Sequence, residues 1–153
     1  MSIAPVRCSV DVKASFERAF ELFVGNMGAW WPRGKTPGGR PHAALIIEPR
    51  RDGRWFERDA DGHETPWGKV LAWEPPRRLL LGWQLDHTFR YDPHLLMEVE
   101  ILFEALTGGG TRVSLEHRNL EQLGVEAETF AGKVRSGWSE RMGNFAQYAT
   151  SHA

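Results

Sequence analysis

The sequence predicts an α+β fold in which an antiparallel β-sheet covers one face with helices. Two observations carry this. The stretches Leu96–Leu106 and Thr111–Arg118 alternate apolar and polar residues, the mark of strands with one covered and one wet face. The last stretch, Thr129 to His152, instead repeats Phe130, Val134, Trp138, Met142, Phe145 and Ala149 at steps of three or four, which puts them on one face of a long helix. A run of strands bounded by helices at its ends argues for α+β.

The elements follow in order. Val6, Cys8, Val10 and Val12 alternate in a first strand, Val6 to Val12. Ser15 then leads into Phe16, Ala19, Phe20 and Phe23, the i, i+3, i+4, i+7 stripe of an amphipathic helix. Gly25 and Gly28 close it and leave room for a short second helical turn before Trp30-Trp31-Pro32. Residues 32–42 are a loop by composition. From there the signals are β: Ala44 to Pro49, Arg54 to Arg58, Thr65 to Trp73 and Leu79 to Leu85, with turns at Asp52-Gly53, Asp61-Gly62 and Pro75-Pro76. Asp86 to His94 is a longer connection. Gly108-Gly109-Gly110 turns between the last two strands, and Asn119 to Glu128 connects to the closing helix, with Thr129 as its expected N-cap. Gly132, Gly137 and Gly143 lie within that helix, each at a cost of roughly 1 kcal/mol relative to Ala. Close helix–sheet contact, with space beside Trp138, is the expected reason.

Composition narrows the function. The 153 residues fit one domain, 1–153, with a sizeable core. A formal charge of −1 with interspersed signs gives no nucleic-acid-binding field. No apolar run approaches the ~20 residues of a membrane helix, and MSIAPVRCSV lacks the features of a signal peptide, so a cytoplasmic protein is expected. The lone Cys8 excludes an intrachain disulfide and reads as a small buried hydrophobe. Seven Trp against two Tyr is the unusual feature, since Trp suits cores, pocket walls and interfaces.

Several motifs resemble a known family. Ile47-Glu48-Pro49-Arg50-Arg51-Asp52-Gly53-Arg54-Trp55 resembles the second hairpin of the START-like SRPBCC superfamily. Trp67-Gly68-Lys69-Val70 with Pro75-Pro76-Arg77-Arg78-Leu79 resembles its next hairpin. Gly110 to His117, followed by Gly137-Trp138, resembles its closing strand and helix. Together they look most like the branch named for the activator of the heat-shock-protein-90 ATPase homologue. The resemblance implies a helix-grip fold: a curved antiparallel sheet of about seven strands wrapped around the long C-terminal helix, with one or two short helices after the first strand. It further implies a cavity between sheet and helix for an apolar or amphipathic small molecule.

On that frame the expected cavity wall is Leu81 and Trp83; Met97, Val99, Ile101 and Phe103; Val113, Leu115 and His117; and, from the helix, Phe130, Val134, Trp138 and Met142. Plain core packing is the competing reading for the aliphatic members. Trp31, beside a Pro/Gly-rich loop, is a candidate for the cavity mouth, and Trp67 is a candidate whose facing is ambiguous. His117 points inward by strand parity and is the first choice for any acid–base role, with Glu57 second. The remaining histidines show no metal-binding spacing. Asp86-His87 and Asp92-Pro93-His94 read as a polar surface loop, so neither metal nor cofactor is expected. Gly-x-Ser-x-Gly and P-loop signatures are absent.

The leading expectation is non-enzymatic binding of a hydrophobic or amphipathic small molecule. A cyclase- or dehydratase-like enzyme using the same cavity is the first alternative. A co-chaperone-like interaction module is the second, weakened by the lack of the extra N-terminal domain associated with eukaryotic activators. An exposed sheet edge and Trp30-Trp31 are compatible with a homodimer.

Overall fold

Alternation in the sequence becomes antiparallel pairing in space. A computed structural model of the chain describes residues 3–153; Met1 and Ser2, which open the amino-terminal segment read above, lie outside the described residues. The elements are β1 (Val6–Val12), α1 (Phe16–Gly25), α2 (Met27–Trp30), β2 (His42–Ile47), β3 (Arg54–Asp59), β4 (Glu64–Glu74), β5 (Arg78–Trp83), β6 (Met97–Ala105), β7 (Thr111–Arg118), a 3₁₀ stretch (Leu120–Glu126) and α3 (Ala127–Ser151). The seven strands form one antiparallel sheet in the order β1-β7-β6-β5-β4-β3-β2, curled into a half-barrel around α3. This is the helix-grip arrangement.

The two faces of the sheet separate as the alternation requires. Met97, Val99, Ile101 and Phe103 are buried against the helices. Their neighbours Glu98 and Glu100 lie on the outer face, where both accept from Arg118 (2.8 and 3.0 Å) and Glu100 also accepts from Arg78 (2.6 Å). Such half-buried surface pairs add modest stability, and they favour this cross-strand register over a slipped one.

Curvature has a local cause. The pairing shifts register between His42 and Ala44, between Pro66 and Gly68, and between Val70 and Ala72, so β2 bends at one bulge and β4 at two. Gly68 permits the tightest approach. A Cβ at that position would lie 1.7 Å from the Gly82 carbonyl oxygen, which no side chain can tolerate.

The helices then fill one end of the trough. Ser15 caps α1 by accepting the Arg18 N–H (3.2 Å), and α1 buries Ala19, Phe20, Leu22 and Phe23. Phe23 meets Phe103 at 5.8 Å and Phe145 of α3 at 5.1 Å, and Trp30 meets Phe145 at 5.2 Å. The C-terminal half of α3 is therefore packed solidly against α1. Its N-terminal half, Phe130 to Trp138, covers the other end of the strands.

Two helix expectations are corrected. Thr129 is not the N-cap: α3 starts at Ala127, directly after the 3₁₀ stretch, and Thr129 lies within its first turn. Nor do the helix glycines mark close helix–sheet contact. A Cβ at Gly132 or Gly143 would meet nothing within 4 Å, and at Gly137 only the Arg141 side chain.

Candidate functional site

Five indoles form a closed ring where the solid packing ends. Trp31 meets Trp67 (5.0 Å between ring centroids), Trp67 meets Trp55 (5.4 Å), Trp55 meets Trp83 (5.8 Å), Trp83 meets Trp138 (5.9 Å), and Trp138 returns to Trp31 (5.6 Å). Edge-on contacts dominate, the arrangement that the ring quadrupoles favour. Trp31, Trp67, Trp83 and Trp138 wall a cavity of about 470 Å³ that is partly open to solvent, and Trp55 stands behind them. Pro37, Leu85, Phe89 and Val134 add to the apolar lining, and the volume lies within the range of small-molecule sites.

Each ring member is positioned by a different element. Trp31 Nε1–H donates to the Lys35 carbonyl (3.3 Å), tying the indole to the loop after α2. Trp67 Nε1–H donates to Glu57 Oε1 (2.9 Å), joining β4 to β3. Trp138 Nε1–H donates to His117 Nδ1 (3.1 Å), joining α3 to β7. The Nε1 groups of Trp55 and Trp83 are buried without a partner among the described residues, so packing alone holds those rings.

Two loops close the mouth. Glu57, only 2 % exposed, also accepts from the Gly38 N–H (2.8 Å) and the Thr36 hydroxyl (2.7 Å). This carboxylate draws the 34–38 segment onto the sheet, and a Cβ at Gly38 would sit 2.7 Å from Glu57 Oε2. Across the mouth, Asp86 Oδ1 accepts from the Thr88 N–H, the Thr88 hydroxyl and the Arg90 N–H, while Leu85 bridges to Tyr91. Burial pushes the Asp86 carboxyl up, but these hydrogen bonds outweigh it and hold it below the usual range. The resulting tight turn presents Thr88, Phe89 and Arg90 to the cavity.

The titratable side chains in the lining are all basic: Lys35, Arg90, Lys133 and Arg141. Arg141 lies over Trp31, its Cζ 4.6 Å from the ring centroid, and burial pushes its pKa down.

His117 lies behind this wall. It is fully buried, 4.8 Å from Trp83 and 5.8 Å from Phe130 between ring centroids. Burial pulls its pKa down from the ordinary 6.5 to about 3, so the imidazole is neutral at pH 7. Accepting at Nδ1 places its proton on Nε2, which is buried without a partner among the described residues.

Of the residues expected to form the cavity, the structure brings Trp31, Trp67, Trp83, Val134 and Trp138 to its wall. Leu81, Met97, Val99, Ile101 and Phe103 lie in the packed core, as do Val113, Leu115, His117, Phe130 and Met142. They are inward-facing, as the alternation implies, but at the filled end or behind the indoles. Glu57 is a structural anchor for the 34–38 loop and is outside the lining. Sequence reasoning missed Phe89, Arg90, Lys133 and Arg141. The spacing Asp86-x-Thr88 was the available signal for the turn that delivers the first two. Elsewhere, Asp59, Asp61 and His63 bring ligand atoms within 4.8 Å of one another on an exposed turn. Asp59 Oδ1 there already accepts the Asp61 and His63 N–H groups, and Asp61 pairs with Arg40.

This architecture has counterparts among known proteins. The family described as Activator of Hsp90 ATPase homolog 1-like protein matches residues 13–150. The chain belongs to this family. As a member it falls in the SRPBCC helix-grip superfamily. Among solved structures it is similar to an anthrahydroquino-gama-pyrone synthase, Txn09, complexed with SUM: 36 % identity, 95 % of this chain and 97 % of that chain covered, TM-score 0.67. It is also similar to CalC, a self-sacrificing resistance protein from Micromonospora echinospora, at 27 % identity, with 97 % and 96 % covered and a TM-score of 0.71. Protein NE0264 from Nitrosomonas europaea, at 14 % identity with 97 % and 95 % covered and a TM-score of 0.67, shares the fold. No curated protein matches the chain. Among the described residues, no helix is long and apolar enough to cross a membrane.

Proposed function

We propose that this family member binds a flat, largely apolar small molecule in the indole-walled cavity and acts as a carrier, sensor or sequestering protein. The observation that carries this reading is the cavity of about 470 Å³ bounded by Trp31, Trp67, Trp83 and Trp138. Indole walls offer large apolar contact at low conformational cost. Binding is favoured over proton-transfer chemistry because the lining contains no Asp, Glu, His or Cys. The interaction-module alternative expects a filled interior, which the cavity does not support.

A second reading has one specific support. The relative at 36 % identity is named as a synthase, so the same cavity could direct a ring closure by positioning its substrate. Native mass spectrometry of the purified protein tests the first reading, with a co-purified aromatic or amphipathic molecule expected. Trp31→Ala and Trp138→Ala should each weaken rebinding by roughly tenfold or more. A protein that carries no ligand and binds none from a panel of aromatics and lipids would sink it. Incubating the protein with open-chain or less cyclised relatives of the recovered molecule separates the two readings. Binding alone leaves them chemically unchanged, whereas a catalyst yields a new species by chromatography.

A further inference from the structure

Charge at the cavity mouth is one-sided. Lys35, Arg90, Lys133 and Arg141 line it, no acidic residue does, and yet the whole chain carries a formal charge of −1. Glu140 is the only carboxylate that pairs with any of these cations among the described residues, meeting Lys35 at 3.7 Å and Arg141 at 3.2 Å. Arg90 and Lys133 make no salt bridge there.

Arg141 differs from the others in being held. Its side chain is 14 % exposed, and the guanidinium lies over the Trp31 ring. Nη1 donates to the Gly137 carbonyl and to Glu140. Its Nε and Nη2 donate to no protein acceptor among the described residues. Those two N–H groups form the side-on fork that matches a carboxylate. A guanidinium with little water and a free fork gains from an anionic partner more than a solvated lysine does. The flat face of Trp31 beside it suits the ring system to which such an acid would be attached.

We propose that the cavity selects planar aromatic molecules bearing an acidic group, a carboxylate or an ionised phenol, and that Arg141 is the side chain that receives it. This rests on the reading of the cavity as a small-molecule site. The exposed cations Lys35, Arg90 and Lys133 supply long-range attraction, and Arg141 supplies the direct contact.

The test uses an isosteric pair of probes, anthraquinone-2-carboxylate and anthraquinone-2-carboxamide, titrated against the full chain by quenching of indole fluorescence. The anion should bind roughly tenfold tighter or more, the worth of one charge-assisted hydrogen bond, and the preference should shrink as salt is raised. Arg141→Met keeps an apolar stem over Trp31 and should remove most of the preference, leaving only the salt-sensitive remainder that Lys35, Arg90 and Lys133 supply. Arg141→Lys should restore only part of the preference, because it keeps the charge and loses the fork. Circular dichroism establishes that both variants are folded. Equal affinity of the two probes for the unaltered protein overturns the proposal and leaves the cavity reading intact. Failure of both probes to bind overturns the cavity reading and this proposal with it. A full preference that survives Arg141→Met but disappears in Lys133→Met or Arg90→Met overturns the assignment to Arg141.

Discussion

Burying His117 as a neutral base makes stability depend on pH. In the unfolded chain this imidazole takes up a proton near its ordinary 6.5, whereas in the folded protein it does so only at about 3. Between those values the unfolded state holds the extra proton, so stability rises with pH. The contribution is intact above about pH 7 and is lost progressively as pH falls toward 3. Each full unit of separation is worth about 1.4 kcal/mol, and the loss between pH 6.5 and 5 comes to about 1.6 kcal/mol. Stopping at pH 5 matters, because Glu100 and Glu116 protonate lower still: burial raises Glu100 and Arg7 lowers Glu116, but guanidinium contacts hold both below the usual range. His117→Gln removes the titration and keeps a side-chain oxygen for the Trp138 N–H. Urea unfolding at pH 6.5 and 5 should then show a smaller pH effect in the variant than in the parent, by about 1.6 kcal/mol. Identical pH dependence in the two proteins would refute the reasoning. The same shift bears on chemistry, since a base that protonates only at about 3 is a poor proton acceptor at neutral pH.

Other substitutions test the parts of the site separately. Glu57→Ala orphans the Trp67 N–H, the Gly38 N–H and the Thr36 hydroxyl, and should cost about 2–4 kcal/mol in urea unfolding, with faster proteolysis within residues 34–40. Gly68→Ala places a methyl against the Gly82 carbonyl and should destabilise by at least about 3 kcal/mol, whereas Gly132→Ala and Gly143→Ala meet open space on α3 and should each stabilise by about 0.5–1 kcal/mol. Thermal unfolding reads both signs, and a stabilised Gly68→Ala would contradict the account of the β4–β5 approach. In a nitrogen–proton correlation spectrum, anthraquinone-2-carboxylate should move the indole signals of Trp31, Trp67, Trp83 and Trp138. Trp73, which packs on Phe20 at 5.2 Å, should stay in place, and a response centred there would put the ligand elsewhere.

The fold was readable because its signals are periodic. Met97 to Phe103 faces inward at every second residue and α3 at every third or fourth, so burial follows directly from spacing. Bulges broke that logic. Trp67 and Val70 are both buried although three positions apart, because Trp67 is itself the extra residue of a bulge between Pro66 and Gly68, and strand parity alone left its facing open. The cavity was legible only in its aromatic half. Inward-facing residues do not announce which end of a sheet is filled: Phe103 meets Phe20 and Phe23 of α1, a contact that sequence spacing does not encode. The cationic half comes from a loop, from a turn set by Asp86 and from the solvent edge of α3, all of which look like ordinary polar surface in the sequence.

The site is built so that its apolar wall and the fold share the same side chains. Trp67 and Trp138 each cross-link two elements through an indole N–H, Trp31 ties down its own loop in the same way, and all three present a ring to the cavity. On the proposed reading, removing one of them loses ligand contact, core packing and a hydrogen bond together, and neither a binding assay nor an unfolding assay alone can apportion the loss. Arg90 and Lys133 carry no salt bridge among the described residues and are exposed, so their replacement should leave stability nearly unchanged. Arg141 stands between the two groups, bound to Trp31 on one side and free on the other. Across a variant series, affinity should fall together with stability for the indoles and fall alone for the exposed cations. Arg141 should show the greatest loss of selectivity per unit of stability lost. That ordering distinguishes a ligand site from a merely imperfect core, because a cavity left by poor packing would show affinity and stability moving together at every position.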